Sequence, residues 1–139
     1  MKRIISIIAI VTIAGGIVSA QFTGLGTFAS PYSGGTLTTD MTWAAAASPI
    51  YVSGDLTIGT AGVAGNLTIE PGVTVIFLSA GSDIFITGLG RLTADGTEGS
   101  KILFTADHDN DSNYGESGET WGHISFQSMG SAGSSVIDN

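Results

Sequence analysis

Residues 67–77 read LTIEPGVTVIF and residues 92–106 read LTADGTEGSKILFTA, two renderings of one short pattern. Leu67 and Ile69 share a face with Thr68 opposite, and Val73, Val75 and Phe77 share a face with Thr74 and Ile76 opposite. A period of two is the mark of a strand, and Val, Ile, Phe and Thr suit a pleated surface. Glu70-Pro71-Gly72 between them is a corner, because Pro presets φ and Gly accepts positive φ. Leu92 follows Leu67 by 25 residues and Phe104 follows Phe77 by 27. A third strand at 84–87, closed by Gly88-Leu89-Gly90, has its counterpart at 124–126. Once the thirteen residues of 107–119 (DHDNDSNYGESGE) are set aside, the step from Ile86 to Phe126 is again 27. Strands and turns alone, recurring at this interval, predict a solenoid. Leu67, Phe77 and Ile86 are then expected beneath Leu92, Phe104 and Phe126, with a further circuit opening at Val136-Ile137.

Working outward, residues 21–33 (QFTGLGTFASPYS) have no period and read as a leader. Residues 34–65 carry two short strands, at 50–52 and 55–58, and read as an N-terminal cap with Trp43 as its lid. An open solenoid end exposes unpaired backbone and apolar interior, which a cap must cover. Gly supplies 21 of 139 residues, about twice its ordinary share of roughly 7%, as tight corners and closely approaching coils require. No helical period occurs after residue 20, so an α/β fold is disfavoured. A β-sandwich is the rival and calls for two-residue hairpin turns.

The first twenty residues are set apart. Lys2 and Arg3 precede an apolar run at 4–18, and Val18-Ser19-Ala20 offers small residues at −3 and −1. These are the marks of a signal peptide cut after Ala20, with an uncleaved anchor as the alternative. Gln21 rather than Cys follows, so no lipid anchor is expected by this signal. The mature chain keeps Arg91 and Lys101 against twelve acids, a net charge of −10. That argues against nucleic acid or an anionic membrane surface as partner. The chain has no cysteine, which excludes disulfides, thiol catalysis and Cys-ligated zinc.

With these residues in view, the chain resembles the right-handed parallel β-helix proteins, the pectate-lyase-like superfold, in the form common among bacterial secreted and surface proteins. The matching pieces are Trp43-(x)5-Pro49-(x)2-Val52, then 67–77, 90–109 (GRLTADGTEGSKILFTADHD) and 121–126 (WGHISF). Together they cover about two thirds of the chain. The resemblance implies an all-β solenoid at 34–139, made of an N-terminal cap and about two rungs. It also implies a fragment, with further rungs in the full-length chain. The fold serves lyases, hydrolases, adhesins and passive surface repeats alike.

Candidate chemistry is concentrated in 107–119. Asp107, Asp109 and Asp111 stand at alternate positions, a spacing that converges oxygens on calcium in a bent loop, and they are the expected metal ligands. The segment is not an EF-hand: Ser112 stands where the turn Gly belongs and Gly118 where the bidentate Glu belongs. A solvated insertion kept soluble by its charge is the competing reading. Trp121 offers either a sugar-stacking face or packing for the loop. His108, His123 and Ser125 have no recognisable catalytic partner. Lyases of the resembled fold combine calcium-binding carboxylates with an Arg or Lys base, whereas Arg91 and Lys101 both lie near corners. Hydrolases of that fold cluster carboxylates on neighbouring strands, whereas Glu70, Asp83, Asp95 and Asp138 lie at or near bends.

The expectation is therefore an exported segment, extracellular, periplasmic or at the cell surface, that displays loops for adhesion or glycan contact. Polysaccharide or cell-surface glycan is the expected partner, calcium the expected cofactor if there is one, and no catalytic residue is assigned. The alternative is the N-terminal part of a polysaccharide lyase or glycoside hydrolase whose catalytic rungs lie beyond residue 139.

Overall fold

The structure is a computed structural model that describes residues 21–128 and 135–138. The expected signal peptide, residues 1–20, lies outside the described residues. The described chain is all-β apart from one turn of 3-10 helix at Ala45–Ala47. Its strands are β1 (Thr36–Leu37), β2 (Asp40–Trp43), β3 (Ile50–Val52), β4 (Leu56–Ile58), β5 (Asn66–Ile69) and β6 (Thr74–Phe77). They continue as β7 (Ile84–Thr87), β8 (Arg91–Asp95), β9 (Leu103–Ala106), β10 (Ile124–Gln127) and β11 (Val136–Asp138).

Each strand pairs with the strand three places later, always in parallel. The first sheet runs β1-β4-β7-β10, the second β2-β5-β8-β11 and the third β3-β6-β9. The chain thus visits the three sheets in rotation. Parallel pairing throughout the named strands removes the antiparallel sandwich. The corner after β5 is the expected turn: Gly72 takes φ +85°, and the Val73 amide donates to the Glu70 carbonyl at 3.3 Å. Gly90 is required for a different reason. A Cβ there would lie 2.0 Å from the Ile58 carbonyl oxygen, so only Gly lets the chain pass.

Register decides what is buried. One inward column runs Leu37–Ile58–Ile86–Phe126, a second Trp43–Ile69–Ala94–Ile137 and a third Val52–Phe77–Ala106. Down to Ile86, Ala94 and Phe77, these columns and their neighbours form one core cluster between the sheets. Full burial of each such aliphatic or aromatic side chain is worth roughly 1.5–3 kcal/mol. The intervening side chains face outward, as in the threonine row Thr42–Thr68–Thr93.

Two of the three expected vertical pairs are present: Leu67 lies beside Leu92 and Ile86 beside Phe126. The third is displaced by two residues. Phe77 pairs with Ala106, and Phe104 pairs with Val75. The corner before β9 loops out through mutual Thr97 and Ser100 backbone bonds, and it holds more residues than its Pro71-Gly72 counterpart.

Residues from Thr36 onward already pair strand for strand with the circuit beneath them. What lies over them is the segment 21–35. Thr23 bridges Gly34, Tyr32 bridges Val52, and Phe22 is buried against Tyr32 and Trp43, with ring centroids at 5.6 and 6.3 Å. Tyr32 stacks on Trp43 at 5.6 Å. Burial pushes the Tyr32 phenol above its ordinary pKa. At the opposite end, the inward residues Phe126 and Ile137 remain 46% and 50% exposed.

Candidate functional site

The segment 107–119 leaves the sheets after β9, and local polar bonds give it shape. Asp107 is buried, and a buried carboxylate must be hydrogen-bonded. Its Oδ1 accepts the Asp111 amide at 3.1 Å and its Oδ2 accepts the Ser112 amide at 3.1 Å. Asp109 Oδ1 also accepts the Asp111 amide, at 3.3 Å, and Asp111 Oδ1 accepts the Asn113 amide at 2.8 Å. Short side chains capping amides a few residues on are what Asp and Asn do in turns. The Asn113 side-chain amide donates to Glu116 Oε1. Gly115 donates to the Ala106 carbonyl at 2.9 Å, tying the excursion back to the end of β9.

Glu119 closes the segment. Its Oε1 accepts the His108 amide at 2.5 Å and its Oε2 the Glu116 amide at 3.4 Å. Desolvation pushes the Glu119 pKa upward, but the hydrogen bonds from the His108 and Glu116 amides and the nearby His108 ring outweigh it. The net direction is below the ordinary value. The His108 Nε2 atom lies 2.9 Å from the Thr120 carbonyl, a bond that needs the proton on that nitrogen.

Of the three expected calcium ligands, Asp109 and Asp111 converge together with Glu116, while Asp107 converges with Asp109 and Glu119. In each group the carboxylate oxygens lie within 4.8 Å of one another. Hard oxygen donors at this spacing are the type that calcium takes, but it wants 6–8 of them. One oxygen from each carboxylate in a group gives three of them, leaving the rest to second carboxylate oxygens, backbone carbonyls or water. Each Asp107 oxygen already accepts a backbone amide.

Trp121 turns its ring inward. It stacks on Phe77 at 4.6 Å and 4° and on Phe104 at 6.0 Å and 27°, so the partly buried ring packs against the core. His123 precedes β10 and its Nδ1 lies 2.9 Å from Asp83 Oδ1, which also accepts the His123 amide at 2.7 Å. The Asp83 amide in turn donates to Asp55 Oδ1 at 3.0 Å. Asp55, Asp83 and His123 each stand immediately before a strand of the first sheet and tie one circuit to the next. That recurrence was available in the sequence as an acidic residue before Leu56 and before Ile84. Ser125 pairs with Phe85 and accepts from the Gln127 side chain at 3.1 Å. Arg91 opens β8 beside Asn66, and Lys101 is exposed at the corner before β9.

Sequence reasoning missed the outer face of the third sheet. Tyr51, Ile76 and Thr105 form its outward column, yet Ile76 and Thr105 are buried. Phe28 meets Tyr51 edge to face at 5.6 Å. Burial raises the Tyr51 pKa, with smaller contributions from Tyr114 and Asp107.

Among the described residues no helix is long and apolar enough to cross a membrane. No protein-family model, curated protein or solved structure matches the chain.

Proposed function

We propose that the chain is the N-terminal part of an exported right-handed parallel β-helix, a rod that displays loops for adhesion or glycan contact. One observation carries this reading: the parallel pairing of every strand with the third one on, through four strands in two sheets and three in the last. Crossovers between parallel strands are right-handed in about 98% of cases, which supports the handedness. The small-residue motif ending at Ala20 supports export to the cell surface or the medium. The excursion 107–119, shaped by its own polar bonds and held at the end of β9, is the loop so displayed. Further coils of the full-length protein would continue the rod beyond β9, β10 and β11.

The test is retention on immobilised cell-surface polysaccharides, comparing the natural chain with one whose residues 109–118 are replaced by a Gly-Ser linker. Retention lost with the excursion is the expected result. Equal retention, or none by either chain, refutes the display role.

A further inference from the structure

From Gln21 onward the backbone is held closely. Gly35 passes so near that a Cβ there would lie 2.8 Å from the Gln21 carbonyl oxygen and 3.1 Å from the Phe22 Cα. Phe22 is 5% exposed, and the Thr23 amide donates to the Gly34 carbonyl at 2.7 Å. Gln21 itself is exposed. Val18 and Ala20, small residues at −3 and −1, set the expected cut directly before it. We propose that Gln21 is the mature N-terminus and a modification site, where its freed α-amine closes on its own side-chain amide to give a pyroglutamyl γ-lactam.

Cleavage creates the nucleophile. Before the cut the Gln21 nitrogen belongs to a peptide bond, and after it that nitrogen is an amine on the same residue as a carboxamide. The unprotonated α-nitrogen attacks Cδ, and a bond between them forms. The bond from Cδ to Nε2 then breaks, and Nε2 leaves as ammonia with the proton shed by the α-nitrogen. No oxidant or other reactant enters. Both groups belong to one residue, so no second molecule has to be brought into position. An open terminus would carry an ammonium one residue from the buried ring of Phe22, whereas the lactam is neutral. The lactam also lacks the free amine that aminopeptidases engage, which guards Phe22 and its packing on Tyr32 and Trp43. The inference rests on the export half of the proposed function.

The test is intact-mass spectrometry and N-terminal sequencing of the chain secreted with its own leader by an exporting host, before and after prolonged warm incubation. The expected mass is that of the chain from Gln21 onward less one ammonia. Sequencing should be blocked until pyroglutamyl peptidase, acting on the denatured chain, exposes Phe22. Gln21→Asn should remain open to sequencing, because the same attack there would form a strained β-lactam. A natural chain that keeps the full mass after incubation and reads Gln21 first overturns the proposal and leaves export standing. A chain that retains its leader, or is cut elsewhere, overturns the proposal together with the cut after Ala20. A Gln21→Asn chain that is blocked as well refutes the ring, since the block then has another cause.

Discussion

Replacing Phe77 by Ala probes the packing that joins the two sides of the excursion. Phe77 is fully buried, and its ring lies flat against Trp121 at 4.6 Å. A Phe→Ala change in a core costs about 3–5 kcal/mol, through lost transfer energy and the cavity left behind. The stacking contributes about 0.5–1.5 kcal/mol beyond the area buried. Domains of this size hold about 5–15 kcal/mol in all, so the variant should lose much of its stability. At roughly 4 °C per kcal/mol, the melting temperature should fall by about 12–20 °C. Urea denaturation followed by tryptophan fluorescence is the natural assay, because Trp121 loses its stacking partner and its emission should shift red in the folded state. Phe77→Leu separates the two contributions, since it keeps an aliphatic filler and loses only the ring. A cost below about 1 kcal/mol for Phe77→Ala, with folded-state emission unmoved, would refute the placement of Phe77 between the sheets.

Gly90→Ala places a methyl group 2.0 Å from the backbone of a paired strand. It should cost about 3 kcal/mol or more, whereas Gly99→Ala, with nothing within 4 Å, should stay within about 0.5 kcal/mol; equal melting of the two variants would count against the close approach. The Glu119 pKa is depressed in the folded chain, so its contribution is present above the ordinary value of 4.5 and is lost as the pH falls through the lower folded value. Limited proteolysis should therefore cut the excursion faster below pH 4.5, and Glu119→Gln should flatten that dependence. A calcium titration is expected to raise the melting temperature, by the equivalent of about 2.7 kcal/mol at a hundred-fold excess over Kd. Asp109→Asn, which touches both carboxylate groups, should abolish that rise; a midpoint indifferent to calcium in the natural chain removes the cation reading.

The wound, parallel arrangement was legible because period-two alternation and the recurrence of like strands are properties of neighbouring residues. The register between Phe77 and Phe104 was not. Likeness of side chain suggested matching Phe to Phe, but the residues looped out between Thr97 and Ser100 shift the pairing. The shift is by an even number, so Phe104 keeps its inward face. Residues 34–65 looked like a cap because β1 has two residues and β2 alternates weakly. Only the strands beneath reveal their pairing. The excursion's composition announced its charge but not which carboxylate turns inward, since Asp107 is singled out by the amides that reach it. The Phe28–Tyr51 contact was hidden for a related reason: the two are distant in sequence, and only the bonding of the segment 21–35 to β3 brings them together.

The first and last described layers differ, and unravelling of the described strands therefore has a direction. Phe22 is buried at one end, while Phe126 and Ile137 at the other are half in water. Little apolar area is lost when β10 or β11 peels away, and every layer above is held on both sides. Amide protons should exchange fastest in those two strands and slowest in β4, β5 and β6, a gradient along the axis rather than one cooperative opening. A partner gripping the excursion would pull on the chain close to the layer that yields first.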